Sequence, residues 1–278
     1  MAIKKTKSQE SAPAPVVTTP SSVTQNLPTT YDWSAVNVTG YENVGKEDLG
    51  VPFLAILQKG SPEIDRTHPE YATKHIDGSE VGDIINNISR KVLYGVGDNE
   101  QLQFIPCAYE RLYMEWKPRN AGGGMVRAHK DPNIFTECRR NEKNQDVLRN
   151  GNIVVTTAYF YGLVITEEGR RPAVVGMSST QLKKARGWLN TMMSLKCETP
   201  KGRITPPMFS HVYGLSTVPE SNESGSWFGW KIACLHPVTD PVMIAEAIES
   251  AKMSVSGQRV ALPPPSETPD SDAHVPFA

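Results

Sequence analysis

The sequence predicts a mainly β protein with a helix inserted between its strands. Residues 101–116, QLQFIPCAYERLYMEW, read as one long strand, and residues 152–165, NIVVTTAYFYGLVI, are rich in β-branched and aromatic side chains. Residues 178–196 repeat apolar side chains at intervals of three and four, as an amphipathic helix does. Antiparallel strands with a helix in one connection are compatible with a small closed barrel such as the OB-fold.

The chain begins with a segment that lacks the composition of a folded domain. Residues 1–30 are rich in Ser, Thr, Pro, Ala and Lys, so they bury too little apolar surface to offset the entropy of ordering. We expect them to be disordered and place the folded domain at residues 31–255. Its first elements are a short buried stretch at 50–65 and two short extended pieces within residues 81–95.

The long strand contains a proline, which marks a sheet edge or a bulge because proline donates no backbone hydrogen bond. The alternation along the strand predicts which side chains share a face. Leu102, Phe104, Pro106 and Ala108 are expected on one face, and Gln103, Ile105, Cys107 and Tyr109 on the other.

The remaining elements follow in order along the chain. Residues 120–152 are polar and predict a loop with a short helix in it, and residues 172–177 predict a further strand. The helix at 178–196 is expected to be capped by Ser178 or Ser179. Two strands near residues 208–219 and 226–235 and a helix around 241–253 complete the domain. The predicted apolar stripe of the first helix is Leu182, Ala185, Leu189, Met192 and Met193. Trp188 is either a core residue or a contact for nucleic acid, and the sequence does not decide between them.

Charge is distributed unevenly along the 278 residues. Between residues 101 and 205 there are 17 Lys and Arg against 9 Asp and Glu, a net charge of +8, whereas the whole chain carries −1. A basic segment in a nearly neutral chain favours a partner with distributed negative charge, and nucleic acid fits that description. The alternative is a solvated basic face with no partner.

Several classes of protein find no support in the sequence. No apolar run has the length of a membrane span, and the N-terminus has no apolar core of a signal peptide, so we expect a cytoplasmic protein without membrane contact. The four cysteines form no close pair, so no metal, cofactor or disulfide framework is predicted. A metal-dependent nuclease stays open as an alternative, through Asp65, Glu70, Asp77, Glu80 and Asp83.

The end of the long strand carries the pattern of a surface for unpaired bases. Tyr109, Arg111 and Tyr113 share one face of an extended chain, because alternate side chains point the same way. Bases stack on exposed aromatic rings while cations hold the phosphates. Core packing of the rings is the alternative, and a register error of one residue exchanges the faces.

Other residues extend this predicted interface. The loop after the strand contains three glycines, Gly122 to Gly124, which permit backbone conformations that other residues resist, and such a loop can close over a strand. Tyr159 and Tyr161 form a second aromatic pair on one face, with Phe160 opposite. The predicted phosphate contacts are Lys117, Arg119, Arg127 and Lys130, continued on the helix by Lys183, Lys184 and Arg186.

The C-terminal segment 256–278 is predicted to be a disordered acidic tail. It contains Asp270 and Asp272 and ends in an apolar tip with Pro276 and Phe277. Such a tail can recruit partner proteins or compete with nucleic acid for a basic groove. An inert linker is the alternative.

These stretches together resemble the single-stranded-DNA-binding proteins of tailed-bacteriophage replication modules. The resemblance lies in VPFLAILQKGSPE, IPCAYERLYMEWKPRNAGGG, MSSTQLKKARGWLNTMM, the block from 204 to 232, and the acidic tail. It implies an OB-fold core that binds single strands with little sequence preference and a tail that contacts replication or recombination proteins. One departure from the resemblance is that bacterial-type tails usually end in Pro-Phe with a free carboxylate, whereas Ala278 follows Phe277 here, so the resemblance does not extend to docking in a host pocket that reads the terminal Phe carboxylate.

The function predicted from the sequence is non-enzymatic coating of single-stranded DNA during phage replication and recombination, in the host cytoplasm. Three alternatives remain: a strand-annealing recombination protein, a metal-dependent nuclease, and a structural or host-interaction protein without affinity for nucleic acid. The sequence leaves open whether the chain forms a homo-oligomer.

Overall fold

The computed structural model describes residues 50–222 and 225–255, with only the backbone described at Arg119 and Val255. The two ends predicted to be disordered, residues 1–30 and 256–278, lie outside the described residues. No helix within the described part is long and apolar enough to cross a membrane.

Strands dominate the described part, and most of them belong to one sheet. The strands are β1 (Phe53–Ile56), β2 (Ile84–Asn86), β3 (Val92–Tyr94), β4 (Leu102–Trp116), β5 (Met125–His129), β6 (Arg139–Arg140), β7 (Asp146–Val147), β8 (Ile153–Thr166), β9 (Gly169–Ser178), β10 (Cys197–Thr199), β11 (Gly202–Ile204), β12 (His211–Asn222) and β13 (Gly225–Pro237). The helices are α1 (Tyr71–Lys74), α2 (Leu182–Ser194) and α3 (Pro241–Val255).

The main sheet has the strand order β13-β12-β4-β8-β9-β1-β2-β3. Its neighbours pair antiparallel except for β1 and β9, which run parallel. β5 pairs with the end of β4, and β7 with the start of β8, so the sheet is longest around these two central strands. The predicted mainly β fold with an inserted helix is confirmed, because α2 lies in the connection between β9 and the later strands.

The sheet curls strongly into a half-barrel. Side chains from strands at both ends of the order, such as Tyr94 of β3 and Trp230 of β13, belong to one buried cluster. Side-chain hydrogen bonds also join the region after β1 to the hairpin β12–β13. The Gln58 amide accepts from the Phe228 backbone N–H at 2.9 Å and donates to its carbonyl at 2.8 Å, and the Thr217 hydroxyl donates to the Gly82 carbonyl at 2.7 Å.

A bulge in β4 determines which side chains face the core. The register against β8 shifts between Pro106 and Ala108, so the predicted bulge at the proline is confirmed. β12 pairs with β4 only over residues 102–104, so the pairing with β12 has ended before Pro106. The predicted alternation is wrong beyond this point: Tyr109 packs in the same cluster as Phe104, whereas Ala108 packs on the opposite side of the sheet.

We call the side of the sheet that carries Phe104 and Tyr109 the inner face, because the curl encloses it. α2 packs there: Trp188 stacks on Phe160 with ring centroids 4.3 Å apart and meets Tyr213 edge-on at 5.5 Å. Trp188 is therefore a core residue. The stripe prediction holds for Ala185 and Met192, which are buried. It is wrong for Met193, which is 68% exposed.

The start of α2 also differs from the prediction. A 3₁₀ turn at Ser179–Gln181 precedes the helix, and Gln181 holds the cap position without a capping side-chain bond. Neither predicted serine caps the helix. Instead the Gln181 side chain accepts from the Trp230 N–H at 2.9 Å, which ties the start of α2 to β13.

The opposite side of the sheet, the outer face, is covered in part by α3. Ala247 of this helix is fully buried against Ile105 and Leu163. A second cluster on the outer face contains Leu112 and Trp116 of β4. Both sides of the central strands are thus covered, which explains why β8 is apolar on both faces.

We expect two glycine-to-alanine substitutions to have opposite effects on stability. A Cβ on Gly162 would lie 2.2 Å from the Ile105 carbonyl oxygen, so β4 and β8 would have to separate. Such overpacking costs about 1–3 kcal/mol. A Cβ on Gly187, within α2, meets no atom within 4 Å, so Gly187→Ala should stabilise by about 0.5–1 kcal/mol. Urea unfolding measures both changes, and equal signs would contradict the packing described here.

Candidate nucleic-acid interface

The inner face of β4 extends beyond α2 and carries an aromatic and cationic strip. Tyr109, Arg111 and Tyr113 share this face as predicted, since Leu112 between them is buried on the outer face. Arg111 is exposed and the two tyrosines are half-buried. Four residues of strand place the tyrosine Cα atoms about 13 Å apart. We call these three residues, with Arg127 of β5, the tyrosine–arginine strip.

Neighbouring rings fix the two tyrosines in place. The Tyr109 ring lies 5.2 Å from that of Phe160, because these residues are direct partners between β4 and β8. Tyr113 meets Phe135 edge-on at 5.2 Å. The Arg111 Nε donates to the Tyr109 hydroxyl at 3.2 Å. Both rings thus have one supported side and a partly exposed remainder, which is the arrangement that a base-stacking platform requires.

The glycine loop turns the chain sharply between β4 and β5. Gly122, Gly123 and Gly124 all have positive φ values, of 96°, 63° and 94°, so the conformation predicted for them is confirmed. The Lys117 N–H donates to the Gly124 carbonyl at 2.9 Å and closes the loop. The Lys117 side chain is exposed, and the Arg119 side chain lies outside the described residues.

β5 returns along β4 and brings Arg127 opposite Glu115. Arg127 is exposed, whereas Glu115 is only 6% exposed. The Glu115 carboxylate accepts hydrogen bonds from His129 Nε2 at 2.9 Å, Asn152 Nδ2 at 2.5 Å and Asn150 Nδ2 at 3.2 Å. Burial acts to raise the pKa of Glu115, but these hydrogen bonds and the proximity of His129 outweigh it and hold the pKa below its ordinary value.

We call Glu115 and its donors His129, Asn150 and Asn152 the Glu115 cluster, which keeps a buried carboxylate next to the strip. Its donors come from β5 and from the segment that enters β8, so it ties the two connections around β4 to that strand. Since Glu115 is already satisfied, it leaves the exposed Arg127 guanidinium as a positive charge at the surface.

Lys130 follows β5 and is partly neutralised. Its Nζ lies 2.9 Å from the Glu110 carboxylate, which also accepts from the Tyr161 hydroxyl at 3.3 Å. Burial and the charge of Glu110 raise the pKa of Tyr161 well above its ordinary value, so this hydroxyl stays protonated. Lys130 remains exposed, but a phosphate would compete with Glu110 for it.

The second predicted aromatic pair does not lie on the surface. Tyr159 and Tyr161 share one face as predicted, with Phe160 opposite, but that face is the outer one. Their exposures are 2% and 3%, and the Phe53 ring packs edge-on against Tyr159 at 5.9 Å. The expectation that these two rings offer open faces to bases is wrong, because the direct pairing of Tyr109 with Phe160 turns them away from the strip.

The three cations on α2 have different surroundings. Lys183 and Arg186 are exposed. Lys184 lies 2.5 Å from the Glu220 carboxylate, which also accepts from Gln181 at 2.9 Å and from the Trp227 indole at 2.8 Å. Burial acts to raise the pKa of Glu220, and these hydrogen bonds outweigh it and lower the pKa. Lys184 therefore joins α2 to the hairpin β12–β13.

Two of the acidic residues considered for a nuclease site, Asp65 and Asp83, accept hydrogen bonds from nearby groups. Asp65 accepts from the Thr67 hydroxyl and N–H, and Asp83 accepts from the N–H groups of Glu80 and Val96. Across residues 50–222 and 225–255, no three His, Cys, Asp or Glu side chains are grouped closely enough to hold a metal ion. The tail residues Asp270, Asp272, Pro276 and Phe277 lie outside the described residues.

The sequence did not single out a cleft along the seam of the half-barrel. β1 pairs with β9 over two residues, and beyond them the two strands line an opening of about 740 Å³. We call it the seam cleft. Its lining includes Gln58, Trp116, Tyr159, Gly176 and Phe228. These residues are far apart in the sequence: Tyr159 and Gly176 meet through the pairing of β8 with β9, and Gln58 and Phe228 meet through their hydrogen bonds.

The fold and the strip define a mainly β protein whose half-barrel sheet carries aromatic and cationic side chains on its inner face. A family model described as Pam3 phage gp34-like protein matches residues 21–261. The chain belongs to this family and is a bacteriophage protein. Comparison with curated proteins and with solved structures gave no match.

Proposed function

We propose that the protein binds single-stranded DNA along the tyrosine–arginine strip and protects it during phage DNA replication and recombination in the host cytoplasm. The observation that carries the proposal is the arrangement of Tyr109, Arg111 and Tyr113 on one supported, partly exposed strand face. In this view the half-barrel acts as an OB-type platform, on which a strand lies across the β4 surface.

The charges around the strip support the same proposal. Arg111, Lys117 and Arg127 are exposed, and no acidic side chain pairs with them within the described residues. Lys183 and Arg186 lie on α2, on the same side of the sheet, and are candidates to continue the track. Contacts of this kind bind phosphates without regard to base identity.

The test is fluorescence anisotropy of the full chain with labelled oligo-dT, the matched duplex and the matched RNA. We expect tighter binding to oligo-dT than to duplex, with a log-log salt slope of about −0.7 per phosphate contacted. Tyr113→Leu keeps apolar contact with Phe135 but removes the ring face, and should weaken binding by about 1–3 kcal/mol. Arg111→Ala should reduce the salt slope by about 0.7.

Lys252→Ala is the matched control, because Lys252 is an exposed cation on α3, on the outer side of the sheet. It should leave affinity and slope unchanged. Absence of binding to all three nucleic acids, or equal losses for Arg111→Ala and Lys252→Ala, would refute the proposal. Annealing of complementary strands, or Mg²⁺-dependent loss of the labelled DNA, would favour the two rival functions instead.

The partners of the C-terminal tail are a further part of the proposal. Residues 256–278 would recruit replication or recombination proteins through Asp270, Asp272 and the apolar tip. Shortening the chain to residue 262 should leave oligo-dT binding equal or stronger, because an acidic tail competes with DNA for the basic surface. Weaker binding by the shortened chain would contradict that role.

A further inference from the structure

The seam cleft lies on a different surface from the tyrosine–arginine strip. Its floor is formed by outer-face residues of β4, β8 and β9, among them Trp116, Thr157 and Ser178. A cavity of about 740 Å³ lies in the range of small-molecule sites, roughly 300–1,000 Å³. The cleft is therefore large enough for a ligand, and the proposed strand-binding surface does not use it.

A glycine keeps the floor of the cleft open. Gly176 pairs directly with Tyr159, and a Cβ at this position would lie 3.2 Å from Cε1 of the tyrosine ring. A side chain here would fill the space above that ring. The hydroxyls of Thr157 and Ser178, which are also cross-strand partners, provide polar groups beside it.

One residue that lines the cleft, Trp116, carries a hydrogen-bond donor without an acceptor. Trp116 is 5% exposed, and its indole Nε1 is buried and finds no hydrogen-bond partner among the described residues. An indole N–H can only donate, so it requires an acceptor atom from elsewhere. A buried donor left unpaired is destabilising, and a ligand that brings an acceptor into the cleft would remove that penalty.

A second tryptophan provides a comparison within the same chain. Trp188 Nε1 also lacks a partner among the described residues, but its ring is packed between Phe160 and Tyr213 in the inner core and does not line the cleft. Of these two unpaired indoles among the described residues, Trp116 belongs to a residue set that lines the seam cleft and Trp188 does not.

The remaining walls indicate the chemistry of the ligand. Phe228 and Trp230 line the cleft from β13 and, with Tyr159, make it rich in aromatic rings. The charged groups that line it nearly balance, because Lys74 and Arg90 are matched by Glu63 and Glu70. Aromatic walls, an unpartnered indole donor and balanced charges suit a flat, uncharged ring with an acceptor at its edge.

We propose that the seam cleft binds one nucleobase, with an acceptor atom of the base placed on Trp116 Nε1. The proposal deepens the proposed function and rests on it for the choice of ligand. The base belongs either to a bound single strand that reaches the cleft or to a free nucleoside. The two sources share the same chemistry of recognition.

The test is isothermal titration calorimetry of the full chain with thymidine and adenosine and their 5′-monophosphates. We expect nucleosides and monophosphates to bind with similar affinity, since the charges at the cleft balance. Trp116→Phe keeps a ring but removes the donor, and should weaken nucleoside binding about fivefold to tenfold. Its melting temperature should stay close to that of the wild type, because an unpaired buried donor is removed as well.

Trp188→Phe is the matched control, since it removes an equally unpaired indole N–H outside the cleft, and it should leave nucleoside affinity unchanged. Lack of nucleoside binding, or equal affinity of Trp116→Phe and the wild type, would overturn the inference.

Titration of thymidine into the complex with oligo-dT identifies the source of the base. Loss of the thymidine heat would mean that a base of the strand occupies the cleft, and an unchanged heat would mean a separate site for a free nucleoside. The two proposals also fail separately. Nucleoside binding without oligo-dT binding would support nucleobase binding in the cleft and refute DNA binding along the strip. Oligo-dT binding without nucleoside binding would support the strip and refute nucleobase binding in the cleft.

Discussion

Replacing Trp188 by alanine is expected to lower the free energy of unfolding by about 3–5 kcal/mol. The indole ring stacks on Phe160 and contacts Phe104 and Tyr213, whose ring centroids lie 6.1 and 5.5 Å away. These partners belong to β4, β8 and β12, so one side chain of α2 holds three strands of the half-barrel together. Urea unfolding monitored by circular dichroism measures the change.

Met193→Ala is the control on the same helix. Met193 is 68% exposed, so its truncation should change the free energy of unfolding by less than about 0.5 kcal/mol. Similar changes for the two variants would contradict the packing of Trp188 against the inner face. Because Tyr109 contacts Phe160, Trp188→Ala should also weaken oligo-dT binding through the strip.

Replacing Glu115 by glutamine should cost about 2–4 kcal/mol at neutral pH. Three donors converge on this carboxylate, from His129, Asn150 and Asn152. A glutamine has one acceptor oxygen and turns an NH₂ group toward the remaining donors. The loss should appear in urea unfolding at pH 7.

The same substitution should change how stability depends on pH. The folded-state pKa of Glu115 lies below its ordinary value of 4.5, so its contribution is complete above about pH 4.5 and is lost as the pH falls through the lower folded-state pKa. The difference between wild type and Glu115→Gln should therefore shrink as the pH is lowered from 4.5 toward 3. A difference that is constant over this range would contradict a buried, ionised Glu115.

Glu168→Gln is the appropriate control for the pH series. Glu168 also has a lowered pKa, because Lys91 donates a hydrogen bond to it at 2.6 Å and adds its charge, but both side chains are exposed. Water screens an exposed pair of this kind, so its removal should change stability little. The contrast separates the effect of burial from that of a nearby cation.

Strand and helix positions could be predicted from the sequence because local composition determines them. β4 and β8 follow from alternating and β-branched residues, and α2 from its apolar repeat. The helix cap was mispredicted because the Gln181 side chain bonds to β13, which is a long-range contact. Met193 was mispredicted because an apolar repeat does not show how wide the buried stripe is.

For the candidate site, the sequence predicted which side chains share a face of one strand, but not how the strands pair with one another. The shared face of Tyr109, Arg111 and Tyr113 follows from alternation alone. The face of Tyr159 and Tyr161 depends on pairing with β4, which is set by tertiary structure, and the bulge at Pro106 shifts the earlier alternation by one residue. The edge-on ring partner Phe135 and the seam cleft depend on contacts across the fold, for which a single sequence gives no signal.

The hydrogen bonds of Gln58 have a consequence for contacts between separate molecules. β13 is the terminal strand of the sheet, and a terminal strand presents unpaired backbone groups that invite a strand of another chain. At Phe228 both backbone groups are occupied by the Gln58 amide, which imitates a peptide unit. A foreign strand could therefore pair with the edge at Phe228 only after breaking both bonds to Gln58, and the neighbouring Trp230 N–H is likewise occupied by Gln181.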